Sequence, residues 1–231
     1  KQLLSYKGML YFFYRPVPLR NDEPNPWLLS CIHGSDFNAE FTFDTCFSIA
    51  KQFRLALLVP LFDPLTFPEY EIFNVRGERS DNRFFELVEH LKKVANITTR
   101  ELFLFGYEKG GEFVQRLTMT HPERIARSAF FAKSFFFVDT ARYYPAGTKP
   151  IPLARDLTVD LSKVIKTDFA ILLDPATAGS RAYKTYYGAF IEHSKATEQT
   201  YRIRTRMLNQ DQMTLQRAWD LAHPYLFGVN S

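Results

Sequence analysis

Leu102-Phe103-Leu104-Phe105-Gly106-Tyr107-Glu108-Lys109-Gly110-Gly111 is the stretch on which the fold of this chain turns. Its first four residues are an unbroken run of bulky apolar side chains, the pattern of a strand covered on both faces. A turn follows at once, and from Lys109 to Thr120 the spacing predicts a helix, which His121-Pro122 ends. Small residues stand on both sides of Glu108. Gly106 and Gly110 let two backbone segments pass closely while the residue between them takes a strained conformation. A strand covered on both faces needs parallel neighbours and helices on either side.

Working outward, the periodicity supplies them. Met9 to Tyr14 reads as an early strand, and the prolines at 16, 18, 24 and 26 as a loop. Trp27 to Ile32 is an apolar run ending at His33-Gly34, and Asn38 to Phe53 is helical, with Phe43, Phe47 and Ala50 on one face. Leu55 to Val59 is a strand stopped by Pro60. Ser80 or Asp81 is expected to cap a helix whose inner face is Phe84, Val88, Leu91 and Ala95. Strands are expected at Ser128–Ala132, Phe169–Leu173 and Tyr201–Leu208, and a helix face at Tyr183, Tyr186, Tyr187 and Phe190. Leu215, Trp219, Ala222 and Leu226 line a closing helix, for which Asp211 is the expected cap.

The predicted architecture is a three-layer α/β/α sandwich with a central, mainly parallel β-sheet, residues 1–231 forming one domain. Leu102–Phe105 should lie at its centre, with Phe103 and Phe105 buried. Ligands of such sheets bind beyond the carboxyl ends of the strands.

Composition narrows the function classes. Of 231 residues 46% are hydrophobic and 23% charged, ordinary globular usage, so disorder is not expected. A net charge of +4 serves solubility and points to no partner, and there is no nucleic-acid-binding signature. Arg202, Arg204 and Arg206 alternate at strand spacing, as on a solvated sheet edge. Cys31 and Cys46 read as buried small hydrophobes rather than a disulfide framework. No metal-ligand spacing appears, no cofactor is implied, and no apolar run reaches the roughly 18–20 residues of a membrane span. The chain opens at Lys1 without a methionine, and the expectation is a soluble mature or trimmed chain, cytoplasmic or secreted.

A strand, a sharp turn flanked by small residues and a helix form the layout of a nucleophile elbow. Three features carry a resemblance to the α/β-hydrolase superfamily, above all to its dienelactone-hydrolase and polyhydroxybutyrate-depolymerase-like esterases. They are this elbow, the His33-Gly34-Ser35 segment and His121-Pro122-Glu123-Arg124 after the elbow helix. The resemblance places Glu108 at the nucleophile position, where the family has serine. Gly34, Ser35 and Lys109 would form the oxyanion-hole-like backbone. Asp174 takes the acid position, without the family's usual preceding glycine. Gln212 falls near the position of the loop histidine, and no histidine stands there; His223 lies beyond, inside the closing helix. His33 and Tyr107 would border a bound ligand.

Three functions compete. A non-catalytic fold that binds a small-molecule or ester-like ligand, or a partner, rests on Glu108 and the missing histidine. An atypical esterase or depolymerase-like hydrolase rests on the intact glycine framework. A scaffold or oligomer subunit rests on the 16% aromatic content, which could cover an interface. Several residues also have plainer roles: Glu108 as a helix cap, His33 as a hydrogen-bonded structural histidine, and His90 and His193 as solvated side chains. Ser35 and Ser134 lack a base to activate them.

Overall fold

The computed structural model describes residues 1–17, 25–97, 100–134, 141–164, 166–173, 175–181, 184, 203–207 and 214–228. Eight strands are described: β1 (Leu3–Tyr6), β2 (Met9–Tyr14), β3 (Leu28–Ile32), β4 (Ala56–Leu61), β5 (Leu102–Tyr107), β6 (Ile125–Phe131), β7 (Asp168–Leu173) and β8 (Ile203–Met207). They form one sheet in the order β1-β2-β4-β3-β5-β6-β7-β8. Only the β1–β2 hairpin and its junction with β4 are antiparallel; the remaining pairs are parallel. The elbow strand β5 lies between β3 and β6, in the interior of the sheet.

Helices cover both faces. On one side are α1 (Ala39–Gln52) and a C-terminal helix, Leu215–Phe227. On the other are α2 (Ser80–Val94) and α3 (Lys109–Thr120). Alternating side chains divide accordingly. Cys31 and Phe105 point to the first layer, where Cys46 and Trp219 pack, and Ile32 and Leu104 to the second, with Phe84 and Phe113. Period-2 alternation of wholly apolar strands thus builds two cores, one per face.

Several expectations change in detail. Phe105 is fully buried, whereas Phe103 is half-buried, its ring under Trp27 and Phe227. Pro60 does not stop β4 but pairs with Tyr11 inside it. The β3 ladder has already ended at Leu58, so the missing N–H of Pro60 deprives β3 of nothing. The N-cap of α2 is Arg79, not Ser80 or Asp81. Ser80 instead donates its hydroxyl to the Tyr70 carbonyl. Asp81 is buried, clasped by both Arg79 nitrogens at 2.7 and 2.5 Å. Ala95 lies just past the end of α2 and is half-buried. Thr214 caps the C-terminal helix, accepting from the Arg217 N–H at 3.2 Å. Asp211, Arg202, His193, Tyr183, Tyr186, Tyr187 and Phe190 lie outside the described residues, as do the side chains of Arg204 and Arg206.

Candidate active site

The elbow is built from backbone against backbone. A Cβ on Gly106 would stand 2.2 Å from the Gly110 carbonyl oxygen, and one on Gly110 would stand 2.4 Å from the carbonyls of Ile32 and His33. At Gly111 the clash is with Phe131, at 1.9 Å. No real Cβ fits at such distances, so these glycines are what seat α3 against β3, β5 and β6. Between strand and helix, Glu108 has φ 52° and ψ −117°, a left-handed backbone that costs a non-glycine residue about 1–3 kcal/mol. The packing around the three glycines enforces it.

The preceding loop is equally determined. His33 is fully buried: its Nδ1–H donates to the Gly34 carbonyl at 2.9 Å, and its Nε2 accepts the Phe62 N–H at 3.0 Å. Burial lowers its pKa, against the raising pull of Gly34. The Tyr70 hydroxyl donates to the His33 carbonyl at 2.8 Å. The reading of His33 as a hydrogen-bonded structural histidine fits these contacts. Both ring nitrogens are committed to the loop, which leaves a neutral, structural histidine with none free to act as a base.

At the tip, the Glu108 carboxylate turns back toward that loop. Its Oε1 takes the Lys133 ammonium at 2.5 Å, and its Oε2 lies beside Gly34. Gly34 lies against both neighbours, since a Cβ there would stand 3.2 Å from the Tyr107 ring and 3.4 Å from Oε2. Burial pushes the carboxyl up, but Lys133, with Ser35 nearby, outweighs it and holds the group below the usual glutamate range. Glu108 occupies the N-cap position of α3, yet its side chain makes no capping hydrogen bond. That corrects the helix-cap reading: the carboxylate pairs with Lys133 rather than with the helix amides.

Lys109, expected to lend its amide, uses its ammonium to bind Glu71 at 3.1 Å. One turn on, Glu112 accepts the Ser134 N–H at 3.2 Å and stands 3.9 Å from the Arg116 guanidinium. Burial raises its pKa in spite of those partners. Tyr107 packs its ring on Phe131 and closes the space beside Gly34, and burial lifts its hydroxyl to about 12.

Lys133, Glu112 and Glu71 were not singled out from the sequence. Register would have found the first: Tyr107 pairs with Phe131 across parallel strands, so Lys133 comes level with the elbow tip. Asp174 and Gln212, at the acid and histidine positions, lie outside the described residues. His223 is on the C-terminal helix, with Nδ1 3.1 Å from the Trp219 carbonyl. His90 is not simply solvated; it stacks on Tyr6 at 4.1 Å. The His121–Arg124 segment joins α3 to α2, His121 lying 3.5 Å from Asp81 and Arg124 over the Phe85 ring. Among the described residues no group of three or more His, Cys, Asp or Glu could hold a metal, and no helix is long and apolar enough to cross a membrane.

This arrangement, a mainly parallel sheet with a strained elbow after its central strand, is the α/β-hydrolase fold. Solved structures of similar shape agree. Poly(aspartic acid) hydrolase-1 from Sphingomonas sp. KT-1 superposes with a TM-score of 0.78 at 18% identity, over 98% of this chain and 97% of that one. A poly(3-hydroxybutyrate) depolymerase from Bordetella parapertussis gives 0.76 at 16%, over 96% and 84%. The S-formylglutathione hydrolase of Staphylococcus aureus gives 0.65 at 14%, over 97% and 96%. At these identities the likeness is one of fold. No protein-family model matches the chain, nor does any curated protein.

Proposed function

We propose that this chain is a single-domain, non-catalytic member of the hydrolase-fold proteins, one that binds a small ester-like or carboxylate-bearing ligand, or a partner, without hydrolysing it. The observation that carries this reading is the position of the Glu108 carboxylate. It is paired with the Lys133 ammonium and turned toward Gly34, into the loop where a reacting group would have to lie. A carboxylate held below its usual pKa by a paired ammonium is a weak nucleophile.

The candidate bases give no help. His33 has both nitrogens committed, and no histidine occurs between His193 and His223. Loss of a triad nucleophile or base leaves only about 10³–10⁴-fold over water, from binding and backbone donors. The glycine frame supports the competing reading, an atypical esterase. A panel of p-nitrophenyl esters at high protein concentration separates the two, with Glu108→Ala as control. Equal rates in both proteins are expected; turnover that disappears in the variant would establish Glu-dependent hydrolysis.

A further inference from the structure

We propose that the cleft bounded by β1, α2 and the His121–Arg124 segment is a second binding site. It takes a planar aromatic monocarboxylate, with the ring between two stacking platforms and the carboxylate on Lys93. The cleft measures about 560 Å³, within the range of small-molecule sites. It is separate from the elbow. His121 and Arg124, which line it, follow the far end of α3, and a helix rising about 1.5 Å per residue sets His121 about 20 Å from Glu108. Asn82, Glu86, His90 and Lys93, spaced three or four residues apart on α2, present one stripe to it. One platform is the Tyr6 ring of β1, stacked on His90 at 4.1 Å and 14°. The other is the Arg124 guanidinium, which lies 3.7 Å over the ring of the buried Phe85 and is held there by Glu89 at 2.5 Å. A guanidinium covered on one face by a ring has its second face left for another flat π-system.

Charge selects the class of ligand. Each carboxylate lining the cleft already meets two cations: Glu86 takes Lys7 at 3.1 Å and Arg83 at 3.0 Å, and Glu89 takes Arg124 at 2.5 Å and Lys92 at 3.2 Å. Arg83 is shared with Glu78, and Glu123, which does not line the cleft, acts on Arg124. His121 stands 3.5 Å from the buried Asp81, which Arg79 already pairs. Lys93 meets no carboxylate among the described residues, so its ammonium is the charge left unmatched. An amine would meet it as a like charge, and a dianion would exceed it; a monoanion matches it. An acid without a ring would gain only an exposed ion pair, which is worth little in water, so the two platforms make the ligand aromatic.

Equilibrium dialysis with 2-naphthoate tests the site. Wild type should bind one equivalent with a Kd of about 0.1–1 mM, ordinary for a ligand of that size. The neutral isostere 2-naphthamide should bind about three- to five-fold more weakly, and acetate not measurably. Lys93→Gln should cost the same factor of about three to five, and His90→Ala, which removes half of one platform, about two- to ten-fold. Asn82→Trp should fill the cleft and abolish binding. Asn82 and Lys93 are exposed and His90 is half-buried, so the Tm of each variant should stay near that of wild type, which separates loss of the site from loss of the fold. Absence of saturable binding by wild type overturns the proposal, as does equally tight binding of 2-naphthamide or binding that survives Asn82→Trp. Binding lost in Lys133→Ala but kept in Lys93→Gln would put the ligand at the elbow, and overturns it as well.

Discussion

The backbone of the elbow and the side chain at its tip are held by different physics. Gly106, Gly110 and Gly111 are fixed by main chain lying within van der Waals reach of main chain, in the interior of the sheet. The Glu108 carboxylate is held by an ion pair whose lysine is 62% exposed. The first region is part of the folding problem. Without those glycines α3 cannot seat on β3, β5 and β6, whatever the protein does. The second region lies at the water interface, where one charged group can replace another at small cost. An elbow can therefore keep its shape, strain included, after its side chain has changed chemistry.

Breaking the frame should cost most. Gly111→Ala would force α3 away from the Phe131 carbonyl, and a loss of about 3 kcal/mol or more in urea unfolding is expected, at the upper end of overpacking effects. A loss below about 1 kcal/mol would mean that the helix can slide, and the contrast between the two regions would fail. Next comes His33→Ala. It removes a buried ring and leaves the Phe62 N–H without its acceptor, for an expected loss of about 2–4 kcal/mol. The same measurement on Lys133→Ala should register less than about 1 kcal/mol, as for other exposed ion pairs. A large loss there would place the tip within the folding core.

Acid sharpens the comparison. The Glu108 carboxyl titrates below its ordinary value, so its stabilising share is complete above the usual glutamate range and is lost as pH falls through the lower folded value. Glu112 is the reverse case: raised by burial, it favours the fold most below that range, and the benefit disappears as pH rises through its folded value. Stability followed downward from neutral pH should therefore recover a little as Glu112 protonates and decline only later. Glu112→Gln should remove the early recovery, and Lys133→Ala should blunt the late decline. A profile unchanged by both variants would show that neither carboxyl is shifted.

The smallest effect is expected from placing serine at 108 and histidine at 212. Glu108→Ser with Gln212→His should hydrolyse short-chain esters at a rate close to the parent's. A base must come within about 2.6–3.2 Å of the nucleophile and be oriented by an acid, and naming the residues does not provide that geometry. A gain of several orders of magnitude would show that the surrounding geometry already suits catalysis and that two side chains complete it.

Much of the fold was legible because its signals are local. The unbroken apolar run at Leu102–Phe105 demanded a sheet covered on both sides, the helix from Lys109 to Thr120 followed from spacing alone, and paired glycines marked the one point where backbone meets backbone. The identity of Glu108 at the tip was equally a property of the chain. Pro60 was misread because a proline breaks a strand only where a neighbour needs its N–H, and whether β3 extends that far depends on pairing between distant segments. The caps at Arg79 and Thr214 were missed for a similar reason, since Asp81 finds a stronger partner in Arg79 than in the helix amides. What Glu108 does was decided only by tertiary structure. Lys133 lies 25 residues further along the chain and becomes its partner because parallel strands bring their carboxyl ends to one edge. Local pattern reports which residues are buried and which turn; charge pairing is short-ranged in space but indifferent to distance along the chain, so it becomes visible only once the strands are in register.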